Sequence, residues 1–168
     1  PINGTVVQIR AFNISPGSRG TEFIYRVGEF EYKSDFYNQF FRSPAPLISQ
    51  ASARYLEPTG IFEDVISTMD EATPDFSIEG SVNRLFGDFR DTGAPKAVLE
   101  IQLFLLDNSN IANPTIMFGR IYNKELPIGS RSPEELMNGW NTALEQILEE
   151  FRSDARAQII GYSRPAPD

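Results

Sequence analysis

Lys96-Ala97-Val98-Leu99-Glu100-Ile101-Gln102-Leu103-Phe104-Leu105-Leu106 is the most regular stretch of the chain. Leu99, Ile101, Leu103 and Leu105 fall on one side of an extended backbone, and Val98, Glu100, Gln102 and Phe104 on the other. Side chains of a strand alternate between faces, so this period of two predicts a strand with one wholly apolar face. Turn residues flank it, with Asp91-Thr92-Gly93-Ala94-Pro95 before and Asn108 to Pro114 after. Beyond those turns lie two more strand-like runs, Phe76 to Asn83 continuing towards Phe89, and Thr115 to Lys124. Strands joined by short turns pair antiparallel, which predicts an antiparallel block at the centre of the protein.

Working outward towards the N-terminus, Thr5 to Phe12 is rich in β-branched residues and stops at Ser15-Pro16-Gly17, which reads as a strand. Residues 22–33 read as a hairpin folded at Val27-Gly28-Glu29-Phe30. Ser43-Pro44 can open a helix, with Ser43 as N-cap, and Leu47, Ile48, Ala51, Tyr55 and Leu56 follow on one face. Pro58-Thr59-Gly60 ends it, Ile61 to Ile66 reads as a short strand, and Met69 to Pro74 as a loop. Towards the C-terminus, Ser132-Pro133-Glu134-Glu135 matches a capping box. Leu136, Trp140, Ala143, Leu144, Ile147, Phe151 and Ala155 then predict an amphipathic helix of about five or six turns. The whole is one domain over 1–162, with a flexible tail at 163–168. The expected class is α/β: a mixed, largely antiparallel sheet covered by two main helices. The strands just before and just after the first helix could pair in parallel.

Composition narrows the function. Fifteen basic and 23 acidic residues leave a net charge of −8, which repels nucleic-acid phosphates, so no nucleic acid is expected as a partner. The 168 residues contain no Cys and no His. Thiol chemistry, Cys/His zinc sites and Ser-His-Asp triads are therefore excluded for this chain. The expectation is a protein that is not an enzyme and needs no cofactor and no metal. No run of about 18 apolar residues is present.

Asp35-Phe36-Tyr37-Asn38-Gln39-Phe40-Phe41-Arg42 concentrates four aromatic residues, Phe36, Tyr37, Phe40 and Phe41. They read either as a surface that binds a partner or lipid, or as rings capping the core at the start of the first helix. Asp88 and Asp91 could meet a divalent cation, but two carboxylates are a thin ligand set; a strand end bulged at Gly87 is the plainer reading. Glu134, Glu135, Glu145, Glu149 and Glu150 read as the polar side of the last helix rather than as an acid/base pair. Ser132 reads as a cap and Trp140 as a packing residue.

Several of these stretches, taken in order, carry a family likeness. Glu22-Phe23-Ile24-Tyr25-Arg26-Val27-Gly28, then Tyr32, then Ser34-Asp35-Phe36-Tyr37-Asn38-Gln39-Phe40, resembles the ABC-type transport auxiliary lipoprotein family. Paraquat-inducible-type outer-membrane lipoproteins belong to that family. Phe41 to Phe62, Ile78-Glu79-Gly80, Phe86-Gly87-Asp88-Phe89-Arg90, Ala94 to Ile101, Arg131-Ser132-Pro133-Glu134 and Gly139-Trp140-Asn141 extend the likeness over most of residues 5 to 155. The resemblance implies an anticodon-binding-domain-like fold and a periplasmic domain tethered to the outer membrane by a lipid-bearing Cys, expected upstream of Pro1. It implies work beside an ABC transporter and a mammalian-cell-entry-type substrate-binding protein, with phospholipid or another envelope lipid as cargo. It offers no catalytic residues. Two rivals stand beside it: an envelope scaffold that forms homo-oligomers without cargo, and a hydrolase using carboxylates alone.

Overall fold

A computed structural model describes residues 5–66 and 73–162. The expected tail at 163–168 lies outside the described residues, as does most of the expected loop at Met69–Pro74. In chain order the elements are β1 (Val6–Ile9), β2 (Asn13–Ile14), β3 (Glu22–Arg26), β4 (Tyr32–Gln39), α1 (Pro44–Leu56), β5 (Asp64–Ile66), β6 (Phe76–Asp88), β7 (Lys96–Asp107), β8 (Thr115–Pro127) and α2 (Pro133–Ile160). Short 3-10 turns lie at Pro16–Ser18 and Glu57–Thr59.

The eight strands form one open mixed sheet. The Lys96–Asp107 strand is its spine: β7 pairs antiparallel with β6 on one side and with β8 on the other. The free side of β6 is then filled in three pieces. β1 pairs with its start, β2 with its middle and β3 with its end, each in parallel. β5 lies in parallel on β1, and β4 lies antiparallel on β3. The fold class expected from the sequence is the one found. The parallel pairing open to the strands before and after the first helix is not the one found. Those strands, β4 and β5, sit at opposite ends of the same sheet edge, because β1 and β3 already occupy the places beside β6.

The alternation in β7 fixes the core. Leu99, Ile101, Leu103 and Leu105 are all buried. The stripe on α2 meets them, with Leu136, Trp140, Ala143, Ile147, Phe151 and Ala155 buried in turn. Close approach is set by Gly139, where a Cβ would come within 2.5 Å of the Ala97 Cβ and 2.8 Å of Ile128. β8 is tied to α2 by polar pairs: Arg120 and the Tyr122 hydroxyl each reach Asp154 at 2.7 Å, and Lys124 pairs with Glu150. Burial, with the Asp154 hydrogen bond second, pushes the Tyr122 phenol up.

Four expectations are corrected. α2 has 28 residues, roughly eight turns, because the stripe continues past Ala155 to the buried Ile159. Its capping box is half formed. Ser132 Oγ accepts from the Glu135 N–H at 3.2 Å, but the Glu135 carboxylate turns to the Gly129 N–H at 3.1 Å. At α1, Ser43 makes no side-chain cap bond; Pro46, at the third helical position, has no N–H to give the cap. The bulge in β6 lies between Val82 and Arg84, not at Gly87, which pairs regularly with Ala97. Gly87 is small because a Cβ there would meet the Phe89 ring at 3.0 Å and Leu136 at 3.2 Å.

Candidate functional site: an aromatic knuckle and an apolar cleft

The four candidate rings separate. In the β3–β4 ladder Phe23 pairs with Asp35, and the next residue back, Glu22, pairs with Gln39. Phe36, Tyr37 and Asn38 are thereby squeezed out of the ladder. Phe36 is 78% exposed, Tyr37 94% and Phe41 90%. Phe40 turns the other way, half-buried, with its ring 4.7 Å from that of Phe23 and stacked at 5.5 Å on Trp140. The site residues expected together therefore divide into an exposed set (Phe36, Tyr37 and Phe41) and one inward ring.

Asp35 holds the knuckle in shape. Its carboxylate accepts from the Tyr25 hydroxyl at 2.6 Å and from the Asn38 side-chain amide at 2.7 Å. It also accepts from the backbone N–H groups of Tyr37 at 2.9 Å and Asn38 at 3.1 Å. Those donors, the Tyr25 hydroxyl foremost, pull the Asp35 carboxyl from an ordinary 3.8 down to about 2. Burial, with Asp35 second, pushes the Tyr25 phenol up. Gln39 Nε2 donates to the Phe36 carbonyl at 2.8 Å, and the Phe40 N–H to the Thr21 carbonyl at 2.7 Å, so both ends of the excursion are pinned. The exposed rings of Phe36 and Tyr37 meet edge to face at 6.3 Å, and Arg42 lies over the Phe41 ring. The sequence carried a signal for this shape: Asp, then acceptor-seeking N–H groups two and three residues on, is the pattern of an Asx turn.

Behind the knuckle, where Phe40 turns in, α1 and α2 leave an apolar cleft of about 90 Å3 over the sheet. Leu47, Ile48 and Ala51 line it from α1, and Met137, Trp140 and Leu144 from α2. Asn141, exposed, is the one polar side chain in its lining. The Trp140 indole N–H points away from it and donates to the Val98 carbonyl at 3.2 Å and the Phe86 carbonyl at 3.4 Å. On the opposite face of the sheet a second cleft, about 410 Å3, is lined by Tyr32, Phe86, Asn83 and Arg84 among others. Arg84 is shared there between Glu100 at 3.8 Å and Glu125 at 3.6 Å.

Several of the remaining charged candidates are engaged within the fold. Arg90 forks onto Asp88 at 2.7–3.2 Å, which holds the Asp88 carboxyl low, and also reaches Glu29 at 3.2 Å. Asp91 accepts from the Gly93 N–H at 2.9 Å, closing its turn. Glu149 pairs with Arg152 and accepts from Tyr55 at 3.1 Å. Among the described residues no group of three or more His, Cys, Asp or Glu is placed to hold a metal ion, and no helix is long and apolar enough to cross a membrane.

No protein-family model matches the sequence, and no curated protein matches it. Solved structures do. A DUF330-family protein from Xanthomonas campestris superposes with a TM-score of 0.78 at 15% identity, over 92% of this chain and 85% of that one. A hypothetical protein from Chlamydia trachomatis gives 0.60 at 9% identity, over 94% and 99%. A PelC dodecamer from Paraburkholderia phytofirmans gives 0.54 at 12% identity, over 88% and 85%. At such identities the likeness is one of fold, and this chain has the fold of the DUF330-family protein.

Proposed function

We propose that this chain is a non-catalytic auxiliary component of an ABC-type envelope lipid-transport system, docking a mammalian-cell-entry-type substrate-binding protein through Phe36, Tyr37 and Phe41. The observation that carries the reading is the pinned knuckle. A chain ordinarily buries large aromatic side chains. Here a carboxylate with four donors, two of them the knuckle's own backbone N–H groups, holds two of them out in water. Rigid exposed aromatic residues on a strand edge are what a partner protein uses as anchors. The family likeness and the DUF330-family fold are consistent with such a part. The domain would stand in the periplasm, tethered to the outer membrane by a lipid-bearing Cys upstream of Pro1, as paraquat-inducible-type lipoproteins are, and phospholipid would be the cargo handled by the assembly.

The test is the affinity of the purified domain for the substrate-binding protein. The triple variant F36S/Y37S/F41S should keep its unfolding midpoint and bind about tenfold more weakly or worse. Unchanged affinity in a folded triple variant contradicts the reading.

A second reading has its own observation. Among the described residues β4 and β8 each pair on one side alone, and the likeness to a PelC dodecamer is a likeness to a chain that assembles with itself. Edge-to-edge assembly into a scaffold would then use the same knuckle. A mass in solution that is a multiple of the 18.9 kDa chain, and that falls to one chain in the triple variant, would favour it.

A further inference from the structure

We infer that the docking edge is recognised through its backbone: an extended segment of the partner protein adds to the sheet alongside β4, pairing with Tyr32 and Ser34. This deepens the docking reading and rests on it.

The ladder fixes which backbone groups are free to pair. The Val27 N–H donates to the Glu31 carbonyl at 3.0 Å, so Val27 and Glu31 form a hydrogen-bonded pair of the antiparallel hairpin. Such pairs alternate with non-bonded ones. Tyr25–Lys33 and Phe23–Asp35 are therefore bonded pairs, and Arg26–Tyr32 and Ile24–Ser34 are not. The Arg26 carbonyl agrees, since it turns away from β4 and accepts from the Phe89 N–H at 2.8 Å. Tyr32 and Ser34 thus direct their N–H and C=O groups outward, and among the described residues β4 pairs with β3 alone. An outward row of alternating donors and acceptors matches an extended backbone.

Two further observations place a strand there. Among the described residues, every exposed large aromatic side chain lies along this edge. Phe30 and Tyr32 stand at one end, and Phe36, Tyr37 and Phe41 at the other. The Phe30 end is pinned like the knuckle: the Arg26 guanidinium donates to the Gly28 carbonyl at 3.3 Å and to the Glu29 carbonyl at 2.7 Å. Anchors thus bracket the two residues whose backbone groups are free. The second cleft also abuts them. Tyr32 and Ser34 line it together with Ile24, Asn83, Arg84 and Phe86. Alternate side chains of a strand share one face, so a side chain of the added segment on the Tyr32 and Ser34 face reaches this cleft. Backbone pairing with a pocket for an alternate side chain is how sheet edges take up extended peptides.

The test uses the domain and the mammalian-cell-entry-type substrate-binding protein. Ser34→Pro deletes one outward N–H, and proline is tolerated on an edge strand where its nitrogen faces solvent. The variant should keep its unfolding midpoint and bind about tenfold more weakly or worse. Amide hydrogen exchange of the unaltered domain is the second measurement. Complex formation should slow exchange of the Tyr32 and Ser34 N–H groups about tenfold or more. A folded Ser34→Pro that binds like the parent overturns the inference, as do amides that exchange as fast in the complex as in the free domain. If Ser34→Pro does not fold, the exchange measurement decides. Slow exchange in the domain alone, growing with its concentration, names a second copy of this chain as the occupant and also overturns the inference. F36S/Y37S/F41S separates the two failures. Weaker binding there beside unchanged binding in Ser34→Pro keeps the docking surface and removes the strand, whereas unchanged binding in both removes the docking reading itself.

Discussion

Asp35 is one carboxylate with four hydrogen-bond donors, and its effect has a definite sign with pH. Its folded pKa lies below the ordinary value, so the stabilisation it contributes is complete above 3.8 and is lost as pH falls through about 2. Asp35→Asn should therefore unfold at lower denaturant than the parent at pH 6. The gap should narrow below 3.8 and close near 2. Urea titrations across that range check it, and a gap independent of pH would remove the carboxylate from the account. Tyr37 and Phe40 make the matching contrast. Tyr37 stands in solvent and Phe40 stacks on Trp140. Tyr37→Ser should change stability by less than about 0.5 kcal/mol, while Phe40→Ser should cost about 2 kcal/mol or more. Composition alone made these two rings look equivalent. What separates them is a three-residue departure from the ladder that begins at Asp35.

At the scale of elements, local pattern was enough for some and not for others. The period-two alternation of β7 and the long stripe of α2 were legible because each position's burial follows from one regular geometry. The half-formed capping box was not, because which donor the Glu135 carboxylate takes depends on where the Gly129 turn comes to rest. The two N-caps give the test of that distinction. Ser132→Ala should cost about 1 kcal/mol, since its oxygen holds the Glu135 N–H. Ser43→Ala should stay within about 0.5 kcal/mol, since its side chain caps nothing. Equal losses at the two sites, measured by thermal unfolding, would contradict the capping assigned here. The bulge belongs with the unreadable features: Gly87 suggested one, but Gly87 is a packing glycine under Phe89, and the register breaks at Val82 instead.

At the scale of the whole molecule, three short strands share one side of β6. No local pattern reveals that order, because β1 meets β6 across some seventy residues of chain. The consequence for function is spatial. Filling β6 in pieces leaves β4 at a sheet edge, with the knuckle on it and the start of α1 just beyond, so the exposed rings of Phe36 and Tyr37 and the apolar cleft lie on either side of the four-residue link Phe40–Ser43. The exposed rings and the apolar cleft thus share one corner of the fold. The most direct test places a photocrosslinking amino acid at position 37 of the full-length protein in living cells. The account expects a crosslink to the mammalian-cell-entry-type substrate-binding protein, abolished when that partner's gene is deleted. A crosslink confined to other copies of this chain, or none to that partner while the two proteins are both present, would contradict it.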